Sequence, residues 1–329
     1  MPKRVRIIVA LCMLAGLVSL ATAKWWVADS PRTVSPQTGS TSEESHVMAN
    51  ADCRRCHPAV WDEWQSSRHA VAWTSPSVQA AFQHFGHDRK CESCHAPMPV
   101  FVTGLANPVE FRKVDHEHGV DCLSCHLTAD GRVAARRTLD DAPCRPIASA
   151  ELQSSLQCAG CHVAIHGDWQ QSSFAASGKT CQSCHMPKVA DRAGGTSHLY
   201  LGGHDDHTVR SAARLTCKVE GDELVVVVEN YRAGHNFPGE RHNRVLLVEV
   251  FEYSSERDIV LGRQHLIKDI TPFRGESSAE EIRAGSTSVT RFPVVEGADS
   301  AEVRLLYKRF PWIADRESLV VARQEVSFE

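Results

Sequence analysis

From about His207 to the C-terminus the chain is written in short apolar runs, at residues 223–229, 244–253, 286–292, 301–307 and 319–328. They are rich in Val and Leu, alternate with period two or run unbroken, and are bounded by Gly, Asp and Ser, the pattern of strands buried on one or both faces. The pattern predicts a β-sandwich of about 120 residues. Upstream, between residues 49 and 205, helical spacing recurs only in fragments, at 59–72 and 77–84. Residues 28–48 hold Ser, Thr and Pro with few large apolar groups and read as a linker. At the N-terminus three cations precede an apolar run from Ile7 that closes on Ala21-Thr22-Ala23, the form of a secretory signal with a small-x-small cleavage site. The alternative is an uncleaved anchor with Trp25 and Trp26 at the membrane interface. The expected organisation is a signal or anchor at 1–23, a linker at 24–48, a helix-and-loop domain at 49–205 and a β-sandwich at 206–329, an α+β chain.

Cysteine usage changes the picture of the middle part. The chain has 13 Cys and 18 His, and five copies of Cys-x-x-Cys-His stand at Cys53-Cys56-His57, Cys91-Cys94-His95, Cys122-Cys125-His126, Cys158-Cys161-His162 and Cys181-Cys184-His185. Random placement of those residues gives on the order of 0.03 copies, so the pattern is chemical. Two cysteines three apart lie on one side of a helical turn, where both sulfurs reach the vinyl groups of one haem, and the next residue offers its imidazole to the iron. Zinc uses such pairs two at a time without an obligatory His, and here the number is odd and every pair is followed by His. The reading is five covalent haems c, each with one axial His. Five macrocycles leave few residues apiece, so the cofactors supply much of the core, with short helices, loops and little sheet around them. Ten cysteines are used in this way. Cys12 falls in the signal, and only Cys144 and Cys217 remain, with no indication in the sequence that they pair.

Aligning Cys53 with Cys158 exposes an internal repeat that places Trp64 on Trp169, Gln65 on Gln170 and Ser67 on Ser172. Phe174 occupies the place of His69, and His166 that of Trp61. Thirteen further histidines are ample for a second axial ligand at every iron, and bis-histidine ligation saturates the metal and suits electron transfer. The candidates by position are His69, ending a Trp-x-x-Ser-x-His turn; His198 and His204, after the last motif; His118, or else His116, before the third motif; His235; and His84 or His87. Met98 and Met186 offer sulfur but sit in Pro-containing turns.

The segments CxxCH…WxxSxHA, Gly119-Val120-Asp121-CLSCH, GKTCQSCHMP and VVVVENYRAGHNFPGERHNR resemble the multihaem cytochromes related to cytochrome c-554, over most of residues 50 to 250. The resemblance implies electron transfer through closely stacked haems, with His69 and His235 as distal ligands. Phe174 departs from the family pattern, where His can stand, and leaves one sixth ligand to be supplied from elsewhere.

Two functions follow. One is an electron relay with six-coordinate haems between a membrane quinol-oxidising donor and a terminal acceptor in periplasmic or extracellular respiration. The other is an oxidoreductase in which one haem keeps an open site for a small nitrogen or sulfur compound. All five motifs end in His, which argues against the nitrite reductases that carry Lys there. Net charge is −4, and loss of Lys3, Arg4 and Arg6 with the signal leaves −7. No basic stripe suggests nucleic acid, so redox proteins are the expected partners, with membrane contact only through an uncleaved N-terminus. Homo-oligomer and complex subunit both remain open. No phosphate loop, dinucleotide fingerprint or nucleophile elbow is present.

Overall fold

In the computed structural model the described residues are 49–84, 86–87, 89–192, 195–239, 243–256, 258–268 and 281–328. The expected signal and linker, residues 1–48, lie outside them. Before residue 213 the described chain is a succession of short helices: α1 (Asp52–Cys56), α2 (Pro58–Ser66), α3 (Pro76–His84), α4 (Arg89–His95), α5 (Val100–Thr103), α6 (Cys122–His126), α7 (Leu156–Ala159), α8 (Val163–Gln170), α9 (Ser173–Ala176), α10 (Cys181–His185) and α11 (Asp206–Ala212). The longest have nine residues, too few to be stable alone in water. Caps and packing must hold them. Asp121 accepts the Ser124 N–H at 2.8 Å while the Ser124 hydroxyl accepts the Asp121 N–H at 3.1 Å, a reciprocal box at the start of α6. Thr180 caps α10 through the Ser183 N–H. The helix expected over 59–72 stops at Ser66, because Ser67 is extended with ψ 163° and its hydroxyl takes the Ala70 N–H into a separate turn. A two-residue parallel ladder joins β1 (Ala134–Ala135) to β2 (Ile147–Ala148).

Beyond α11 the chain becomes sheet: β3 (Ala213–Glu220), β4 (Glu223–Asn230), β5 (Val245–Tyr253), β6 (Ile259–Lys268), β7 (Thr287–Pro293), β8 (Ser300–Lys308) and β9 (Leu319–Ser327). Two antiparallel sheets form, in the orders β3-β4-β7 and β6-β5-β8-β9. Five strands match the apolar runs. The other two, β3 and β6, are outer strands whose solvent-facing positions carry Arg, Lys, Gln and His, which hides them from a search for apolar runs. Leu224, Val226 and Val228 of one sheet meet Leu246, Val248, Val250, Val303 and Leu305 of the other in a single apolar cluster. Each such side chain contributes about 1.5–3 kcal/mol by leaving water. The Gln324 amide brackets the Cys217 backbone, accepting its N–H at 2.9 Å and donating to its C=O at 3.1 Å, and so ties β9 to β3.

The helical part has no comparable core. Its buried apolar side chains are few and mostly small, among them Trp64, Phe82, Ala96, Val100, Val109 and Ala159, while the large cluster begins at Val209. A segment of this length with so little apolar burial needs another filling, as five macrocycles would provide. Residues 47–329 nevertheless form one compact unit. At the seam Tyr307 donates to the Gly203 carbonyl at 3.0 Å, Arg244 reaches His204, and Arg309 pairs with Asp206.

Candidate haem centres

The motif cysteines ride on the short helices. α1, α4, α6 and α10 each carry both cysteines of a motif, with the His ending the helix or following it, and α7 carries Cys158 with Cys161 and His162 in the turn beyond. Contacts between motifs do not follow chain order. The Cys53 thiol meets Cys122, Cys94 meets Cys161, and Cys158 meets Cys181, while Cys125 stands near Cys158 and Cys161. The first motif therefore neighbours the third, the third the fourth, and the fourth both the second and the fifth.

Three pairs of imidazoles face one another. His69 and His162 have ring centroids 6.3 Å apart, His126 and His198 6.4 Å, and His185 and His235 6.4 Å, with interplanar angles of 44°, 25° and 16°. One metal bonded to both Nε2 atoms would set the centroids about 6.2 Å apart, from two bonds of about 2.0 Å and about 1.1 Å within each ring. The gaps have the width that an iron with two axial imidazoles requires.

The ring orientations agree. Nδ1 of His95 lies 2.7 Å from the Ala72 carbonyl, that of His126 2.8 Å from Ala134, that of His198 3.0 Å from Thr196 and that of His235 2.8 Å from Asn236, and His185 makes the same contact with Leu201. A carbonyl accepts only, so Nδ1 carries the proton and Nε2 keeps the lone pair that binds metal. Burial lowers the pKa of His126, His198 and His235, and it pulls His69, with help from His162 and His185, down to about 3. Neutral imidazole is the ligating form. These residues fit haem iron.

Local structure explains how each distal ring is delivered. The His69 carbonyl accepts the Val120 N–H at 3.0 Å, and the Trp64 indole donates to the Val120 carbonyl at 2.8 Å. Gly119 runs so close that a Cβ would come within 2.5 Å of the His69 oxygen, and its φ of +59° suits glycine. The Gly-Val-Asp approach to the third motif thus holds the turn that carries His69. His235 projects from the loop after β4, where the fully buried Asn230 donates its amide to the carbonyls of His235 (2.8 Å) and Ile282 (2.9 Å). The β part therefore brings a ring to the fifth motif. Phe174, standing where the repeat has His69, lies beside Gly234 of the loop that presents His235, so close that a Cβ added at Gly234 would come within 3.3 Å of the Phe174 side chain.

Other candidates are placed differently. His204 sets Nε2 3.1 Å from the Arg244 guanidinium and its ring 5.9 Å from Phe310, and burial with the Arg244 charge brings its pKa down to about 4. His118 closes a short 3-10 turn, His116–His118, outside the facing pairs, while His116 packs on Phe111 at 4.3 Å with its Nε2 buried and unpartnered. His57 and His95 are not members of these three pairs; His242 lies outside the described residues. Cys144 and Cys217 are both free. Sequence reasoning missed Tyr200, whose ring lies 4.3 Å from that of His69 and 5.8 Å from that of His198. It also missed Glu63 and Arg192, which have no motif of their own.

Residues 52–127 match the family described as cytochrome c554 and c-prime. The fold is similar to a crystal structure of a penta-haem cytochrome c552 from Thermochromatium tepidum, with a TM-score of 0.65 and 16% identity over 86% of this chain and 99% of that one. A superoxide reductase in the oxidised state and the hypothetical protein PH1083 from Pyrococcus horikoshii OT3 each match 36% of this chain, at TM-scores of 0.22 and 0.21 and identities of 9% and 11%, covering 87% and 88% of their own chains. Those two likenesses are too slight to bear on the fold. No curated protein sequence matches the chain. The chain thus carries the cytochrome c554 and c-prime pattern in residues 52–127, and over 86% of its length its fold is similar to that of a penta-haem cytochrome c552.

Proposed function

We propose that this protein is an exported electron relay that holds five covalent haems c, and that three of them are closed on both faces by histidine: His162 with His69, His126 with His198, and His185 with His235. The observation that carries the reading is the spacing of these rings, 6.3–6.4 Å in all three pairs. Each haem, when bound, supplies one-electron redox chemistry. The protein's part is to attach the macrocycles through the motif cysteines, orient neutral imidazoles through backbone carbonyls and keep the rings out of water. Paired imidazoles leave no position for a substrate, which favours transfer over catalysis.

The contacts among motif cysteines support a path from the first motif through the third and fourth to the fifth, with the second as a side branch on the fourth. Cys56 of the first motif and Cys184 of the fifth are exposed, so the two ends of that path are the natural points of exchange with redox proteins. A quinol-oxidising donor in the membrane and a terminal acceptor are the partners that such a relay would join outside the inner membrane.

A second reading, an oxidoreductase acting on a small nitrogen or sulfur compound, turns on His57 and His95, which lie outside the three facing pairs. Intact mass of the matured protein should show five added macrocycles on the motif cysteines. Replacing His198 or His235 by Ala should each convert one low-spin ferric haem to high spin in the EPR spectrum. An unchanged spectrum in both variants would overturn the assigned pairs, and binding of cyanide or nitrite to the unaltered protein would favour the enzyme.

A further inference from the structure

Glu63 lies on α2, one turn beyond the first motif, yet its carboxylate is spent on a segment far along the chain. Its Oε1 and Oε2 accept from the Arg192 guanidinium at 2.9 and 3.0 Å, a two-pronged ion pair, and Oε2 also accepts the backbone N–H of His198 at 2.8 Å. Arg192 then turns its Nη1 to the Thr196 carbonyl at 3.0 Å, and that same carbonyl faces Nδ1 of His198 at 3.0 Å. The backbone and the ring of His198 are therefore both held by one carboxylate–guanidinium unit. Its two side chains are only 19% and 24% exposed, so solvent screens the pair less than an open surface bridge.

We propose that Glu63 and Arg192 are positioning residues for the sixth ligand of the third haem. The proposal rests on the reading that His198 is that ligand, opposite His126. Glu63 fixes where the His198 backbone sits, and Arg192 sets how strongly its imidazole donates to iron. A guanidinium hydrogen bond draws electron density from the Thr196 carbonyl and weakens that oxygen as an acceptor for Nδ1–H. A weaker Nδ1–H bond leaves the imidazole a poorer donor at Nε2, which favours the ferrous state. The positive charge acts in the same direction. The clamp also links α2, the helix after the first motif, to the third motif's ligand, and the cysteines Cys53 and Cys122 of those two motifs are themselves in contact.

The test is a set of variants in the mature holoprotein, read by EPR, by cyanide titration and by redox titration of the separate haems. Arg192→Leu should lower the midpoint potential of one haem, and Glu63→Gln should raise it, because Gln removes the negative charge but keeps an oxygen for the His198 N–H. Glu63→Ala should loosen the ligand, so that cyanide takes one haem about 10- to 100-fold more readily than in the unaltered protein. A merely structural ion pair would lower thermal stability without moving any potential in opposite directions, and that outcome overturns the proposal. Should Glu63→Ala not fold, the opposed shifts in Arg192→Leu and Glu63→Gln decide the matter. His198→Ala separates the two failures. If it leaves every haem low-spin, the ligand assignment is wrong; if it produces one high-spin haem while the Glu63 and Arg192 variants change nothing, only the clamp is wrong.

Discussion

At the scale of single residues the most telling side chains are those that hold a ring without touching metal. Asn230 is fully buried and its amide spans two carbonyls, one of them that of His235. Asn230→Ala would strand both acceptors and should cost about 1–3 kcal/mol, measured as a lower melting temperature, together with a high-spin component from the fifth haem. Gly119→Ala places a methyl group 2.5 Å from the His69 carbonyl at a φ of +59° and should cost about 1–3 kcal/mol through strain, with disturbed ligation at the fourth haem rather than the third. Phe174→His is expected to add no ligand, because that position faces Gly234, and an unchanged EPR spectrum would bear this out.

At the scale of elements, the two parts depend on different physics. In α6 the reciprocal cap is joined by the Arg112–Asp121 ion pair at 2.8 Å, with side chains 12% and 5% exposed. Asp121→Ala removes the cap and leaves the guanidinium without its carboxylate. Loss of the cap alone should cost about 0.5–2 kcal/mol, and the yield of haem attached at Cys122 and Cys125, read by peptide mass, should fall with it. In the sandwich, Leu305→Ala opens a cavity in a fully buried cluster and should cost about 2–5 kcal/mol in denaturant unfolding while the haem spectra stay unchanged. The strands most legible in the sequence were β4, β5 and β8, whose apolar runs face other strands or the second sheet. β3 and β6 escaped because Arg214, Lys218, Gln264 and His265 interrupt their apolar positions, and the helical spacing over 59–72 outruns the helix because the turn at Ser67 rests on a hydroxyl contact that periodicity does not register.

At the scale of the whole molecule, the sandwich contains its own apolar cluster and the helical part does not. A chain produced without haem attachment should therefore keep its strand signal in far-UV circular dichroism and lose most of its helical signal; retention of both would contradict the view that the cofactors complete the core. The five Cys-x-x-Cys-His motifs could be read directly from the sequence, because the haem attachment proposed for them would act within one helical turn and so call for a fixed spacing. The change from helix to sheet was equally plain, since period and residue type are local. Which imidazole faces which was not, because two rings meet only when distant segments are folded against each other. His69 follows the first motif in the chain and faces His162 of the fourth, and His235 reaches His185 from a loop of the sandwich. Nor could any spacing have selected Glu63 and Arg192, whose carboxylate and guanidinium lie within 3 Å of one another only because the fold returns Arg192 and His198 to the helix after the first motif.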